Sequence, residues 1–138
     1  MPNMKNTLTL LLFAVAVMFM TGCGNPKVSG KVMFTDGEPL TTGNIMFEND
    51  QNTYRCDIRS DGTFDMGMLR DGEGLPPGEY RVAVVAVCPE SAAAHNLDPD
   101  LPLRMLTPSK FTNSRTSGIT YTVTDSTRNI EIVVERAP

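Results

Sequence analysis

Three cysteines and one histidine are the side chains of this 138-residue chain best suited to chemistry near neutral pH. Cys23 stands apart because of what precedes it. From Leu8 to Met20 the sequence is apolar except for Thr9, and it closes in Met20-Thr21-Gly22-Cys23. Those 13 residues would make a helix of about 20 Å, short of the roughly 30 Å hydrocarbon core of a bilayer. With Lys5 in front and small residues at its end, the run has the layout of a secretory signal. Met4-Lys5-Asn6 is a more usual opening than Met1-Pro2-Asn3, so Met1 and Met4 are both candidate starts.

The Met-Thr-Gly-Cys ending resembles a bacterial lipobox, in which the cysteine thiol receives a diacylglycerol and a peptidase then cuts before it. The resemblance implies a signal peptide over 1–22, lipidation of Cys23 and a short tether over 23–27. It also implies a domain over 28–138 held on a membrane by its N-terminal lipid. Three acyl chains, at about 0.8 kcal/mol per buried methylene, would make that attachment permanent in practice. Gly24 follows the cysteine where no acidic residue stands, which resembles the sorting pattern of a bacterial outer membrane. Plain secretion with cleavage after Gly22, and an uncleaved short anchor, are the alternatives.

Beyond residue 22 remain 116 residues with 11 basic and 16 acidic side chains, a formal charge of −5. That is one domain, long enough for a real core. An acidic chain without a Lys/Arg cluster speaks against nucleic acid and against an electrostatic grip on anionic lipid. Tryptophan is absent, which weakens a sugar-stacking role.

With Cys23 spent on lipid, Cys56 and Cys88 are left, and an exported compartment favours pairing an even number of thiols. Alternation puts Cys56 on the face of Tyr54 and Ile58, and Cys88 on the face of Tyr80, Val82 and Val84. Both therefore point inward. A Cys56–Cys88 disulfide and two buried free thiols are both compatible with the pattern. The lone His95, with Asp98 and Asp100, is too thin a cluster for zinc, which needs three or four converging ligands. Asp61-Gly62 and Asp71-Gly72-Glu73-Gly74 read as turns, since no succession of calcium ligands ends in a bidentate Glu. Ser117 has no base in view. Lys31 and Asn129 are the residue types of an internal Lys–Asn crosslink, but alternation turns Lys31 outward. No catalytic residue, metal site or cofactor is expected.

The elements that must carry these residues have period two. Val28, Gly30, Val32 and Phe34 alternate with polar neighbours before the Asp36-Gly37 turn. A strand with Ile45 and Phe47 follows, then Thr53–Arg59. Ser60-Asp61-Gly62-Thr63 reads as a hairpin turn into Phe64–Met68, because Asp-Gly supplies positive φ angles. Pro76-Pro77-Gly78 suits a type II turn and launches Tyr80–Cys88, the most apolar strand. Ile119–Val123 and a last strand with Ile130, Ile132 and Val134 complete seven, which predicts an all-β sandwich of two sheets. Pro89–Ser117 interrupts the pattern with four prolines and only Ala92-Ala93-Ala94 compatible with a helix. It reads as a long crossover or a binding loop.

The strings VSGKVMFTDGEPLTTGNIMFE, DGTF, LPPGEYRVAVVA and PSKFTNSRTSGITYTV resemble small planctomycete-type lipoproteins with a carboxypeptidase regulatory-like domain. The similarity covers nearly all of residues 28–138. It implies a seven-stranded sandwich of the transthyretin (prealbumin) type and no established activity; the similar domain of zinc carboxypeptidases is an accessory beside their catalytic unit. Two roles follow as expectations. One is a noncatalytic interaction or structural module of the cell envelope, with an envelope protein or glycan as partner. The other is a peptide- or glycan-binding module using the 71–77 and 89–116 loops at one end of the sandwich. Leu97, Leu101, Leu103, Met105 and Leu106 decide between them, as an exposed apolar patch serves binding and a buried flap serves the core.

Overall fold

The alternation in Ser29-Gly-Lys-Val-Met-Phe34 becomes β1 (Ser29–Phe34), with Val32 and Phe34 buried. A computed structural model describes residues 25–66, 74–125 and 129–138. The expected signal peptide 1–22, lipidated Cys23 and the Asp71–Glu73 part of the 71–77 loop lie outside the described residues. After β1 come β2 (Asn44–Glu48), β3 (Thr53–Asp57), β4 (Thr63–Asp65) and β5 (Gly78–Val85). Helix α1 (Pro89–Leu97) and a 3-10 turn (Ser109–Thr112) precede β6 (Ile119–Val123) and β7 (Asn129–Val134).

The strands form a three-stranded sheet, β4-β1-β7, and a four-stranded sheet, β3-β2-β5-β6. All neighbours are antiparallel except β1 and β7, which run parallel with Gly30 opposite Ile130 and Phe34 opposite Val134. The inner faces meet in one core that includes Val32, Ile45, Phe47, Phe64, Tyr80, Val82, Val84 and Ile132. Tyr80 centres it. Its ring stands edge-on to Phe47 and Tyr54, at 6.1 and 5.9 Å between centroids. Its hydroxyl donates to the Pro76 carbonyl at 2.7 Å, so the Pro-Pro-Gly turn is tied to the core by the strand it launches.

Two glycines are required by close approach. A Cβ on Gly30 would stand 2.1 Å from the Ile130 carbonyl oxygen and 2.8 Å from the Phe64 ring, so only a bare backbone lets β7 lie against β1. Gly62, at φ +84°, lets the Asp61-Gly62 turn fold back so that its carbonyl receives the Val32 N–H at 2.9 Å.

The segment after β5 departs from expectation in having a helix. Nine residues with no buried side chain would be marginal alone, but the ends are held. Leu106 N–H donates to Ala86 O and Cys88 N–H to Arg104 O, both at 2.8 Å, and Val87 bridges Met105. This two-stranded stem closes the excursion from Pro89 to Leu103. Pro89 occupies the first helical turn, where its missing N–H costs nothing, and Ser91 Oγ returns to the Cys88 carbonyl at 2.9 Å.

From Pro108 the chain turns back as a strap against β5. Phe111 is buried in the core, Ser114 Oγ donates to Glu48 Oε2 at 2.8 Å, and Thr116 Oγ1 donates to the Lys110 carbonyl at 2.7 Å. Buried Ser117 donates its hydroxyl to the Val82 carbonyl and accepts the Ile119 N–H at 3.2 Å. The Lys110–Gly118 run that carried the family resemblance is therefore an anchoring device that sets the start of β6.

Candidate functional site

At the end of the stem α1 projects, and the turn after it returns through Asp98-Pro99-Asp100. Asp98 N–H closes the helix on Ala94 O at 2.9 Å, Asp100 N–H donates to Asp98 Oδ1 at 3.1 Å, and Leu101 N–H to Asp98 O at 3.1 Å. His95 Nδ1 lies 2.6 Å from the Leu101 carbonyl. An oxygen there can only accept, so Nδ1 carries the hydrogen and the imidazole acts as a clasp across the turn. His95, Asp98 and Asp100 are thus accounted for by local structure. Among the described residues no group of three or more His, Cys, Asp or Glu side chains is arranged to hold a metal.

These tight turns leave the leucines outside. Leu97 is 90% exposed, Leu101 43% and Leu103 46%. Met105 and Leu106 are half-buried where the stem joins the sandwich, and Leu106 packs on the core. The five residues divide accordingly: three form an apolar tip and two form its root. The exposed carboxylate residues Asp98 and Asp100 stand between Leu97 and Leu101 in the turn.

Cys88 caps α1 at this root and is 3% exposed. Its thiol donates to Glu90 Oε2 at 2.8 Å and receives Arg104 Nη2 at 3.2 Å. That thiol contact, with the Arg104 charge further off, holds the Glu90 carboxyl below its usual range. Cys56 is 5% exposed on β3, and neither thiol is in a disulfide. The Cys56–Cys88 bridge is therefore replaced by the other reading, two buried thiols. Cys56 lies opposite Ile45 and Ile45 opposite Val84. Cys88 is then two strands across and four residues along, about 16 Å away, whereas a disulfide needs Cα atoms within about 7 Å. Sharing an inward face did not make them neighbours.

The 71–77 and 89–116 loops were expected at one end of the sandwich. Pro76 and Pro77 enter β5 at Gly78, whereas the stem leaves it after Val85, so eight residues of strand, about 26 Å, separate the described end of the first loop from the start of the stem. The entering chain belongs to the pole of the first loop. Leu75 N–H donates to Pro26 O at 3.0 Å, and Met66 N–H to Val28 O at 2.8 Å. Thus Asn25–Pro26 and the leucine tip mark opposite poles.

Two further concavities lie on the sheets, the first of mixed character and the second polar. An open groove of about 430 Å³ lies over the outer face of β4-β1-β7, lined by Ser29, Lys31, Thr63, Asp65, Asn129 and Glu131. Asn129 stands opposite Ser29 and accepts its hydroxyl at 3.0 Å, while Lys31 stands opposite Glu131; the Lys31–Asn129 pair is not brought into register. A second concavity of about 270 Å³ holds Arg81 between Glu48 and Asp50, at 3.6 and 3.3 Å. Among the described residues no helix is long and apolar enough to cross a membrane.

Comparison with protein families, with curated proteins and with solved structures found no match to this chain. The exposed tip was legible in part, since Leu-Asp-Pro-Asp-Leu-Pro-Leu strings leucines between turn formers. The stem that presents it was not, because the pairing of Ala86–Cys88 with Arg104–Leu106 spans an interval with no strand alternation.

Proposed function

We propose that this chain is an exported lipoprotein whose noncatalytic β-sandwich, of the seven-stranded transthyretin type, is an interaction module of the cell envelope. Residues 1–22 direct export, Cys23 carries the lipid, 23–27 form the tether and 28–138 the domain. The observation that carries the reading is the apolar tip. Large apolar side chains gathered on one projection are what a partner surface covers. The tip and Asn25 occupy opposite poles, so an anchor at one leaves the other free. Asp98 and Asp100 between the leucines suit a protein partner with basic residues around an apolar cleft, and they disfavour burial of the tip in anionic lipid.

Two measurements test this proposal. Cys23→Ser should lose its lipid-dependent membrane fraction; a protein that stays membrane-bound with residues 1–22 uncleaved would overturn the lipoprotein reading. A photo-reactive residue at Asn96, beside the tip, should crosslink in intact cells to one envelope protein reproducibly. Crosslinks only to abundant neighbours in proportion to their amount would reduce the domain to a spacer.

A further inference from the structure

A lipid anchor fixes where a chain is held, and the length of free chain behind it decides how far the domain can swing. Free chain is scarce here. Pro26 is buried, and its carbonyl receives the Leu75 N–H at 3.0 Å. Val28 is 1% exposed, and its carbonyl receives the Met66 N–H at 2.8 Å. Gly74 shows how closely this segment is held. A Cβ there would stand 2.1 Å from the Pro26 carbonyl oxygen, so only glycine lets the two backbones meet. The backbone is therefore fixed from Pro26 onward, and only Gly24 and Asn25 stand between it and Cys23. Three residue steps reach at most about 11 Å.

We infer that the anchored domain is mounted in one orientation, with the pole around Pro26 seated on the headgroup surface of the bilayer that holds its lipid. The inference rests on the lipoprotein reading and adds an orientation to it. Lying on a sheet face would lift Pro26 by half the thickness of the sandwich. For two sheets about 10 Å apart with their outer side chains that is roughly 10 Å, which would stretch the free chain to its limit. Strand register shows what shares the pole. Val123 pairs with Gly78, so Thr124 leaves β6 beside Pro77. Glu48 pairs with Thr53 and Arg81, so the Asn49–Asn52 turn closes toward the same end. Ser29 pairs with Asp65 and Asn129, which brings the ends of the other sheet there. The chemistry of this pole is that of a polar contact. Among the described residues the large exposed apolar side chains lie elsewhere: Leu97, Leu101 and Leu103 beyond the stem, and Val133 opposite Met33 toward the far end of β1. The pole thus rests on headgroups and does not enter hydrocarbon. The stem then begins about 26 Å out along β5, and a partner of the tip is met away from the bilayer surface.

The experiment uses the full chain, expressed with its own signal in bacterial cells, purified with its lipid and reconstituted in phosphatidylcholine vesicles with a nitroxide on a fraction of the headgroups. Gln51→Cys lies in the near turn. Glu38→Cys lies at the far end of β1, where the Glu38 carbonyl receives the Phe34 N–H at 2.8 Å. Both positions are exposed and take a fluorophore, whereas Cys56 and Cys88 are buried. The headgroup nitroxides should quench the label at position 51 several-fold more than the label at position 38. A flexible Gly-Ser insertion of about ten residues between Gly24 and Asn25, about 17 Å in mean span, should bring the two close to equality. Equal quenching in the chain without the insertion overturns the proposal, and so does a difference that the insertion leaves unchanged. The mass of the N-terminal peptide reads the lipid separately. An unacylated Cys23 fails the lipoprotein reading, while an acylated chain with equal quenching fails the orientation alone.

Discussion

Leu97 offers a direct test of the tip, because the structure separates its two roles in magnitude. Burying a leucine side chain fully contributes about 1.5–3 kcal/mol. Leu97 is already 90% exposed in the folded chain, so Leu97→Ala should cost the fold about a tenth of that, roughly 0.2–0.3 kcal/mol. Position 97 ends α1, where alanine is no worse a helix former than leucine. If a partner covers the side chain, the same substitution loses nearly the whole burial on binding, about ten- to a hundredfold in affinity. Leu106→Ala is the internal contrast. Leu106 packs on the core at the root of the stem, and its truncation should cost about 2 kcal/mol of stability. The assay pairs urea unfolding of each variant with the yield of photo-crosslinks from position 96. Leu97→Ala should keep the urea midpoint and lose the crosslink. Two results would refute the reasoning. A midpoint lowered as far as that of Leu106→Ala would make Leu97 structural, and an unchanged crosslink yield would remove the tip from the interface.

Two further expectations concern the scaffold. Ser117→Ala leaves the Val82 carbonyl and the Ile119 N–H without their buried hydroxyl partner, so urea unfolding should show a loss of about 1–3 kcal/mol; a loss within error would mean that the strap does not set the start of β6. Acid stability is the other. The Arg136 hydrogen bond to Asp36, the Thr63 hydroxyl on Asp61 and the Cys88 thiol on Glu90 hold these carboxyls below their ordinary values of 3.8, 3.8 and 4.5. Groups depressed on folding contribute stability that is complete above the unfolded value and is lost as pH falls through the folded one. Thermal midpoints should therefore be flat from neutral pH to about 5 and decline below about 4, with a shallower decline in Asp36→Asn. A midpoint that rises on acidification below pH 4 would contradict this assignment.

Period-two alternation was enough to find the strands, since each half-buried strand writes its inner face directly into its own residues. Val32 and Phe34, Ile45 and Phe47, and Ile130, Ile132 and Val134 all face inward as read. The Asp61-Gly62 turn was legible for the same local reason, a backbone angle that glycine supplies. Helix α1 was not, because Ala92-Ala93-Ala94 is too short by propensity alone and is held by a stem whose halves lie far apart in the sequence. The thiols show the same limit. Alternation assigns Cys56 and Cys88 to an inner face but cannot measure how far apart they sit on it.

Local features are readable in the residues alone: an apolar run before Cys23, an acidic composition, strands with their inner faces, and turns. Which strands are neighbours follows from the folded arrangement alone. From that follow the sheet edges, the separation of Pro76–Pro77 from the stem, and the exposure of Leu97, Leu101 and Leu103. The physical reason is that side-chain alternation and turn chemistry act within a few residues, whereas sheet order, edges and poles are set by pairings between segments distant along the chain.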